Sequence, residues 1–261
     1  MTNDFFTSRR FRAYFRKLMT EHWRTICVAT AILLGIMLVA EIWTALSSYS
    51  YYFSLENPES NYDPARETLF FTGALIFLVG GCISSSRLFT DGQRKAGRIH
   101  VLTTPVSPFE SWLARWLLYV VGYIVVFFAC FYLADLVRVA IFAPLLPKVS
   151  VSFVSIIPKS ISDRETYPTM WFFYFFFTSW FVLGSFFFPK RPLLATSICI
   201  FIIGMLFFFV LLGVMDPFIN LSDRQSALLK TIANLWLILH GLLNWWLSYQ
   251  RYKEMEIIDH H

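Results

Sequence analysis

The apolar run TICVATAILLGIMLVAEIWTALS, residues 25–47, decides the fold class of this chain. A helix needs about 20 apolar residues to cross the hydrocarbon core of a bilayer, and this run reaches that length with one charged residue, Glu41. The run is longer than the core of a signal peptide, and no small-residue cleavage site follows it. We therefore expect a retained membrane span.

Five further apolar runs follow it along the chain. The six predicted spans are residues 25–47, 69–86, 112–136, 170–188, 193–215 and 228–247. The runs are continuous rather than alternating, which predicts helices, because only helices and closed barrels satisfy backbone polar groups in lipid. Only 15% of the residues are charged, whereas a soluble domain carries about a quarter. The sequence thus predicts an all-α membrane protein with six transmembrane helices.

The distribution of basic residues predicts the orientation of these spans. Of 22 Lys and Arg residues, 15 fall on the side of the N-terminus and seven on the opposite side if the spans alternate. Because cytoplasmic loops are enriched in Lys and Arg, both termini and the loop 87–105 are predicted to be cytoplasmic. Anionic lipid headgroups are sufficient partners for the net charge of +5, so no nucleic-acid partner is inferred.

The segment before the first span has the periodicity of an amphipathic helix. Its apolar stripe comprises Phe11, Tyr14, Phe15, Leu18, Met19 and His22, and Arg10, Arg16, Lys17, Thr20 and Arg24 lie opposite. A basic amphipathic helix next to a membrane lies flat among the headgroups. We expect an interfacial helix in residues 1–24, a transmembrane domain in 25–247 and a cytoplasmic tail in 248–261. The helix is either a topology anchor or a mechanical contact with a partner.

The stretch DGQRKAGRIHVLTTPVSPFESW, residues 91–112, separates the second and third spans. Gly92 and Gly97 have the spacing of a phosphate-binding loop, but Arg98 and Ile99 stand where that loop needs Lys and a hydroxyl. No catalytic pattern of a metalloprotease or serine hydrolase is present, and His260 with His261 makes a weak metal site. We expect neither an enzyme nor a cofactor or metal site in this chain.

The end of the same stretch predicts the start of a helix. Ser107, Pro108 and Glu110 form a capping box, with Ser as the cap, Pro at the first helical position and Glu three residues on. Between the second span and this cap, Ile99, Val101 and Leu102 are apolar although the loop is basic. Apolar residues in a soluble loop imply a binding partner.

The loop resembles the signature of permease subunits of type-2 ATP-binding-cassette exporters, in which an acid, a Gly, aliphatic residues, a Pro and a Ser follow one another. The matching positions are Asp91, Gly97, Ile99, Val101, Leu102, Pro105 and Ser107. The resemblance implies a coupling helix that docks into a separate ATPase subunit, which binds the ATP, and a second permease subunit beside this one. It also implies a multi-pass protein of a bacterial plasma membrane. The predicted ATPase-coupling interface comprises Asp91, Gly97, Arg98, Ile99, His100, Val101, Leu102, Pro105 and Ser107.

Few ionisable residues lie inside the predicted spans. Glu41 is expected to reach outward from the end of its span, and Asp135 is expected to pair with Arg138, three residues further on. His240 and Asn244 share a helix face near mid-membrane, either in an interhelical hydrogen bond or in a proton relay. Since no deep carboxylate is evident, an externally powered exporter is favoured. The alternatives are a membrane scaffold or assembly protein and an ion-coupled carrier that uses His240.

Overall fold

The computed structural model describes residues 5–54, 60–90, 104–154, 163–188, 190–214 and 223–258. The helices in these ranges are α1 Ser8–Phe53, α2 Arg66–Ser86, α3 Pro108–Trp116, a π-helical turn Leu117–Val121, α4 Gly122–Leu145, α5 Asp163–Phe187, α6 Pro192–Val214 and α7 Asp223–Ile258. The β-pairing found within the same ranges is an isolated bridge between Ser60 and Val149. The predicted all-helical class is confirmed.

Three helical stretches are long and apolar enough to cross a membrane: Ser8–Phe53, Arg66–Ser86 and Pro108–Leu145. Trp171–Phe187 and Pro192–Leu206 are shorter apolar helices, again among the described residues. These helices support a membrane protein, and the crossing of all six predicted spans stays a prediction. With 46 residues, α1 is about 69 Å long, more than twice the thickness of the hydrocarbon. The amphipathic residues 8–24 are its first turns, continuous with the predicted first span.

The chain forms two compact units, each described here by itself. Unit 1 comprises Met1–Phe15, Gly81–Val120 and Pro168–His261. Unit 2 comprises Arg16–Gly80 and Val121–Tyr167.

The core of unit 2 forms between α1, α2 and α4. In the second half of α1 the buried residues recur every fourth position, which places Met37, Glu41, Ala45 and Tyr49 on one stripe of the helix. Aromatic rings fill the space beside α4, where the centroid of Phe77 in α2 lies 4.8 Å from that of Phe127. The helices of this unit therefore pack through apolar stripes interrupted by a few buried polar groups.

A buried guanidinium organises the polar part of unit 2. As predicted, Arg138 pairs with Asp135 on its own helix, at 2.7 Å between Nη2 and Oδ1. Its Nη1 also donates to Asp63 Oδ2 at 3.1 Å and to the Tyr49 hydroxyl at 2.7 Å, and Nη2 donates to the Ser152 carbonyl at 2.6 Å. The network thus joins α1, α4 and the segments that follow each of them.

The expected outward position of Glu41 is wrong. Its side chain is 3% exposed, on the buried stripe of α1 rather than at the surface. The stripe position decides this outcome, because a residue that faces the neighbouring helices cannot extend its carboxylate away from them.

Small residues allow close packing in unit 1. A Cβ atom added to Gly81 in α2 would lie 2.5 Å from Cε2 of Tyr174 in α5, which is fully buried. A Cβ at Gly184 would overlap Thr196 of α6. Helices in membranes associate through such small residues because these let the backbones approach one another.

We predict that Gly81→Ala destabilises the protein and that Gly35→Ala does not. The new methyl at Gly81 meets a ring that cannot move freely, and overpacking of this kind costs about 1–3 kcal/mol. At Gly35 no described atom lies within 4 Å, so alanine there brings only its better helix propensity. Thermal unfolding in detergent measures both variants. Equal melting temperatures for the two would contradict the close approach.

We also predict that Arg138→Leu lowers the free energy of unfolding by about 3–5 kcal/mol, because it leaves Asp63 and Asp135 buried without a counter-charge. The control is Arg251→Leu, which removes an exposed pair with Glu254 of 3.1 Å and should change stability by less than about 1 kcal/mol. Denaturation of both variants in the same detergent gives the comparison. Similar losses in the two would show that the network contributes little.

Candidate functional site

The structure describes both ends of the predicted coupling loop. The chain is described up to Thr90 and again from Thr104. Asp91, Gly97, Arg98, Ile99, His100, Val101 and Leu102 therefore lie outside the described residues. Of the predicted interface, Pro105 is exposed and Ser107 caps α3, at the end of the loop that leads into this helix.

The predicted capping box at the start of α3 is confirmed. The Ser107 hydroxyl accepts a hydrogen bond from the backbone N–H of Glu110, and Glu110 Oε2 accepts one from the backbone N–H of Ser107, both at 3.2 Å. Pro108 occupies the first turn. Because the Ser107 backbone is extended, with φ −66° and ψ 150°, the loop is fixed where it enters the helix.

Glu110 also holds the N-terminal segment. Its fully buried carboxylate accepts bonds from Arg10, with Nε 2.6 Å from Oε2 and Nη2 3.0 Å from Oε1, and from the backbone N–H of Thr7 at 2.6 Å. Glu110 precedes the predicted span 112–136. Burial favours its neutral form, but the bonds from Arg10, Thr7 and Ser107 outweigh burial and hold the pKa of Glu110 below its ordinary value. We call this group the Glu110 clasp.

Hydroxyl groups connect the next turn of α3 to α1 and α7. Ser111 Oγ lies 3.0 Å from the Tyr14 hydroxyl and accepts a bond of 2.7 Å from the Tyr252 hydroxyl. Trp112 Nε1 donates to Ser248 Oγ at 3.2 Å. The first two turns of α3 are thus bonded to the beginning of α1 and to the end of α7.

An aromatic cluster joins the two ends of the loop. We call it the loop-base cluster, and its members are Phe89, Trp112, Arg115, Phe186 and Tyr252. The ring of Phe89 stacks on Phe186 at 4.7 Å and meets Tyr252 edge-on at 5.7 Å. The buried Arg115 guanidinium lies 5.6 Å from the centroid of Phe89 and 6.0 Å from that of Tyr252, in cation–π contact with both. Displacement of the loop would therefore act on α2, α3, α5 and α7 together.

A π-helical turn, Leu117–Val121, follows α3. Such turns insert an extra residue and leave carbonyl groups with poorer partners. Here two side chains from other helices use these carbonyls: Ser84 Oγ donates to Tyr119 O at 2.6 Å, and the Tyr174 hydroxyl donates to Val120 O at 3.1 Å. Sequence reasoning missed this feature, since the turn itself contains no Pro or Gly and the Gly122 that follows it lies within a continuous apolar run.

The second predicted site, His240 and Asn244, lies on the face of α7 that packs against α5. The His240 ring lies 5.1 Å from Trp236, 5.3 Å from Trp180 and 5.4 Å from Phe176, between centroids. Asn244 Nδ2 donates to Ser179 Oγ at 3.1 Å. The two residues share a face as predicted, and the interhelical hydrogen bond comes from Asn244. His240 is surrounded by aromatic rings.

No set of three or more His, Cys, Asp or Glu side chains within the described ranges is placed to hold a metal ion. The four cysteines are free thiols: Cys27 is exposed, Cys82 and Cys130 are buried, and Cys199 is half-buried.

We predict that Glu110→Gln releases the N-terminal segment from α3. The variant keeps the shape of the side chain but loses charge-assisted bonds worth about 1.5–3 kcal/mol each. Amide hydrogen exchange in residues 5–15 should increase in this variant. The control is Lys17→Gln, which removes the charge of an exposed pair with Glu21 at 3.7 Å. Unchanged exchange in Glu110→Gln would contradict the clasp.

The clasp also carries a pH dependence. Because the pKa of Glu110 is lowered in the folded protein, the stabilisation is present above the ordinary pKa of glutamate and is lost as the pH falls through the lowered value. The protection factors of residues 5–15, which compare exchange with the intrinsic rate at each pH, should therefore fall on acidification in the wild type. In Glu110→Gln this acid-dependent change should be absent.

No family model, no curated protein and no solved structure matches this chain. The resemblance to type-2 exporter permeases accordingly rests on the loop pattern and on the order of the predicted spans.

Proposed function

We propose that the chain is the membrane-spanning permease subunit of an exporter of the ATP-binding-cassette type. A separate ATPase subunit binds the loop 87–105, and its ATP-driven closure moves the helices through that loop. A second permease subunit, identical or different, completes the pathway. The chain itself has no nucleotide-binding motif, so ATP is bound by the partner.

The observation that carries this proposal is the connection between the loop base and the helix ends. A docking loop transmits force only if it is attached firmly at both ends. The N-terminal end of the loop is held by Phe89 in the loop-base cluster. Its C-terminal end is held by the Ser107 cap and the Glu110 clasp. Packed groups of this kind move together rather than deform. A push on the loop would therefore shift several helices of unit 1 at once.

The segments that meet at this base support the proposed orientation. They are the beginning of α1, the end of α2, the beginning of α3, and the ends of α5 and α7. An alternating path through the membrane would place these same ends on one side, and the basic residues concentrate there. On this basis we propose six spans, cytoplasmic termini, contact with anionic headgroups and a bacterial plasma membrane as the location.

A second candidate is an ion-coupled carrier, which the buried ionisable groups of unit 2 favour. Ionisable side chains inside membrane helices are commonly part of ion or proton routes. Glu41, Asp63, Asp135 and Arg138 are all buried. This candidate differs from the first in needing no ATPase.

Affinity purification from native membranes distinguishes these functions. We predict that a stoichiometric ATPase subunit co-purifies with the chain. Leu102→Asp should abolish that association, because it places a charge in an apolar interface, and Gly97→Pro should leave the ATPase uncoupled from the permease. The control, Thr20→Asp, adds the same charge at an exposed position of α1.

The outcomes separate cleanly. An ATPase retained by the wild type and by Thr20→Asp, but lost from Leu102→Asp, supports the permease. Ion flux by the purified chain alone in vesicles would favour the carrier. A co-purifying protein without ATPase activity would indicate a scaffold or assembly protein, and the permease assignment would fall.

A further inference from the structure

Glu41 is a buried carboxylate whose charge the surrounding residues do not compensate. It is 3% exposed, on the stripe of α1 that packs in the core of unit 2. Both carboxylate oxygens are shielded, and neither has a hydrogen-bond partner among the described residues. A charged carboxylate in that position is costly, since no hydrogen-bond donor of the described residues replaces the water it has lost.

The one cation that acts on Glu41 in this part of the structure is already fully engaged. A guanidinium has five N–H donors. Those of Arg138 are directed at Asp135 from both Nε and Nη2, at Tyr49 and Asp63 from Nη1, and at the Ser152 carbonyl from Nη2. None is left for Glu41, although the charges of Asp135 and Arg138 both act on its carboxylate.

The charge balance around Arg138 leads to the same conclusion. Asp63 and Asp135 receive donors: Asp63 Oδ2 also accepts the Ser152 N–H at 3.1 Å, and Asp135 Oδ2 accepts the Val154 N–H at 2.8 Å. These two acids and Arg138 already carry one net negative charge. An ionised Glu41 would add a second negative charge, which would repel that of Asp135 among residues that are all buried.

A proton is the ligand that this geometry fits. A bound metal cation requires several oxygen ligands around it. Glu41 belongs to no group of three or more His, Cys, Asp or Glu side chains that could hold a metal ion among the described residues, so no cage of such side chains surrounds it. A proton needs only the carboxylate itself, and it removes the uncompensated charge.

We propose that Glu41 is a proton-binding site of unit 2, occupied in the conformation described here. The proton leaves only when the neighbourhood changes, either because water reaches α1 beside α4 or because Arg138 exchanges one of its acidic partners for Glu41. The groups that face this site are Asp135 and Arg138 from α4, with Tyr49 and Asp63 bonded to Arg138. Protonation of Glu41 is thereby tied to the packing of α1 on α4. The site does not depend on the proposed ATPase.

Infrared spectroscopy of the purified full-length protein in detergent tests the proposal. At neutral pH the wild type should show the C=O stretch of a protonated carboxylic acid, with the small shift expected in D₂O. Glu41→Gln should lose this band. The control is Glu67→Gln, which removes an exposed carboxylate of the same unit and should retain the band. A wild type without such a band, or a band unchanged in Glu41→Gln, would overturn the proposal.

Thermal unfolding as a function of pH provides an independent readout. A group that is protonated in the folded protein and ionised in the unfolded chain destabilises the fold as the pH rises. The melting temperature of the wild type should therefore fall relative to that of Glu41→Gln from acidic to alkaline pH, whereas Glu67→Gln should follow the wild type. A constant difference between wild type and Glu41→Gln would contradict protonation. If Glu41→Gln fails to fold, Glu41→Asp replaces it, and this variant should shift the infrared band. A wild type that lacks the C=O band of a protonated acid would overturn the proposal in either case.

Discussion

The need to compensate charge away from water governs both units of this protein. In unit 1 the buried Glu110 accepts bonds from Arg10 and two backbone N–H groups, and so brings the N-terminal segment to α3. In unit 2 the buried Arg138 brings Asp63 and Tyr49 to α4. Each cluster links segments distant in sequence, because helices with little polarity between them supply few other specific contacts.

These clusters have different consequences for function. The Glu110 clasp and the loop-base cluster form a stiff base for a loop that, as we propose, receives mechanical force. The network around Arg138 is satisfied, whereas the neighbouring Glu41 is buried without a hydrogen-bond partner among the described residues, so a change in its protonation would act on the packing of α1. Firm connections carry motion between helices, whereas a buried carboxylate without a partner responds to protonation.

Local chemistry could be predicted from the sequence, and long-range pairing could not. The cap at Ser107 and the Asp135–Arg138 pair depend on residues three positions apart, so helical geometry alone predicts them. The contact from Arg138 to Asp63 spans 75 positions and needs the packed fold. The predicted outward position of Glu41 was wrong for the same reason. It was based on the distance of Glu41 from the start of its span, and that distance does not tell which face of the helix is buried. On α5, the small polar residues Thr178, Ser179 and Ser185 are all buried and so mark the face that packs against other helices. The many aromatic residues of this helix obscure that pattern in the sequence.

The π-helical turn between α3 and α4 has one more consequence. An additional residue within a continuous helix advances the angular phase of everything beyond it by about 100°. The shift begins at the two carbonyls that accept bonds from other helices. Removing that single residue would return Tyr119 O and Val120 O to the regular hydrogen-bond pattern of the helix and leave the Ser84 and Tyr174 hydroxyls without these acceptors.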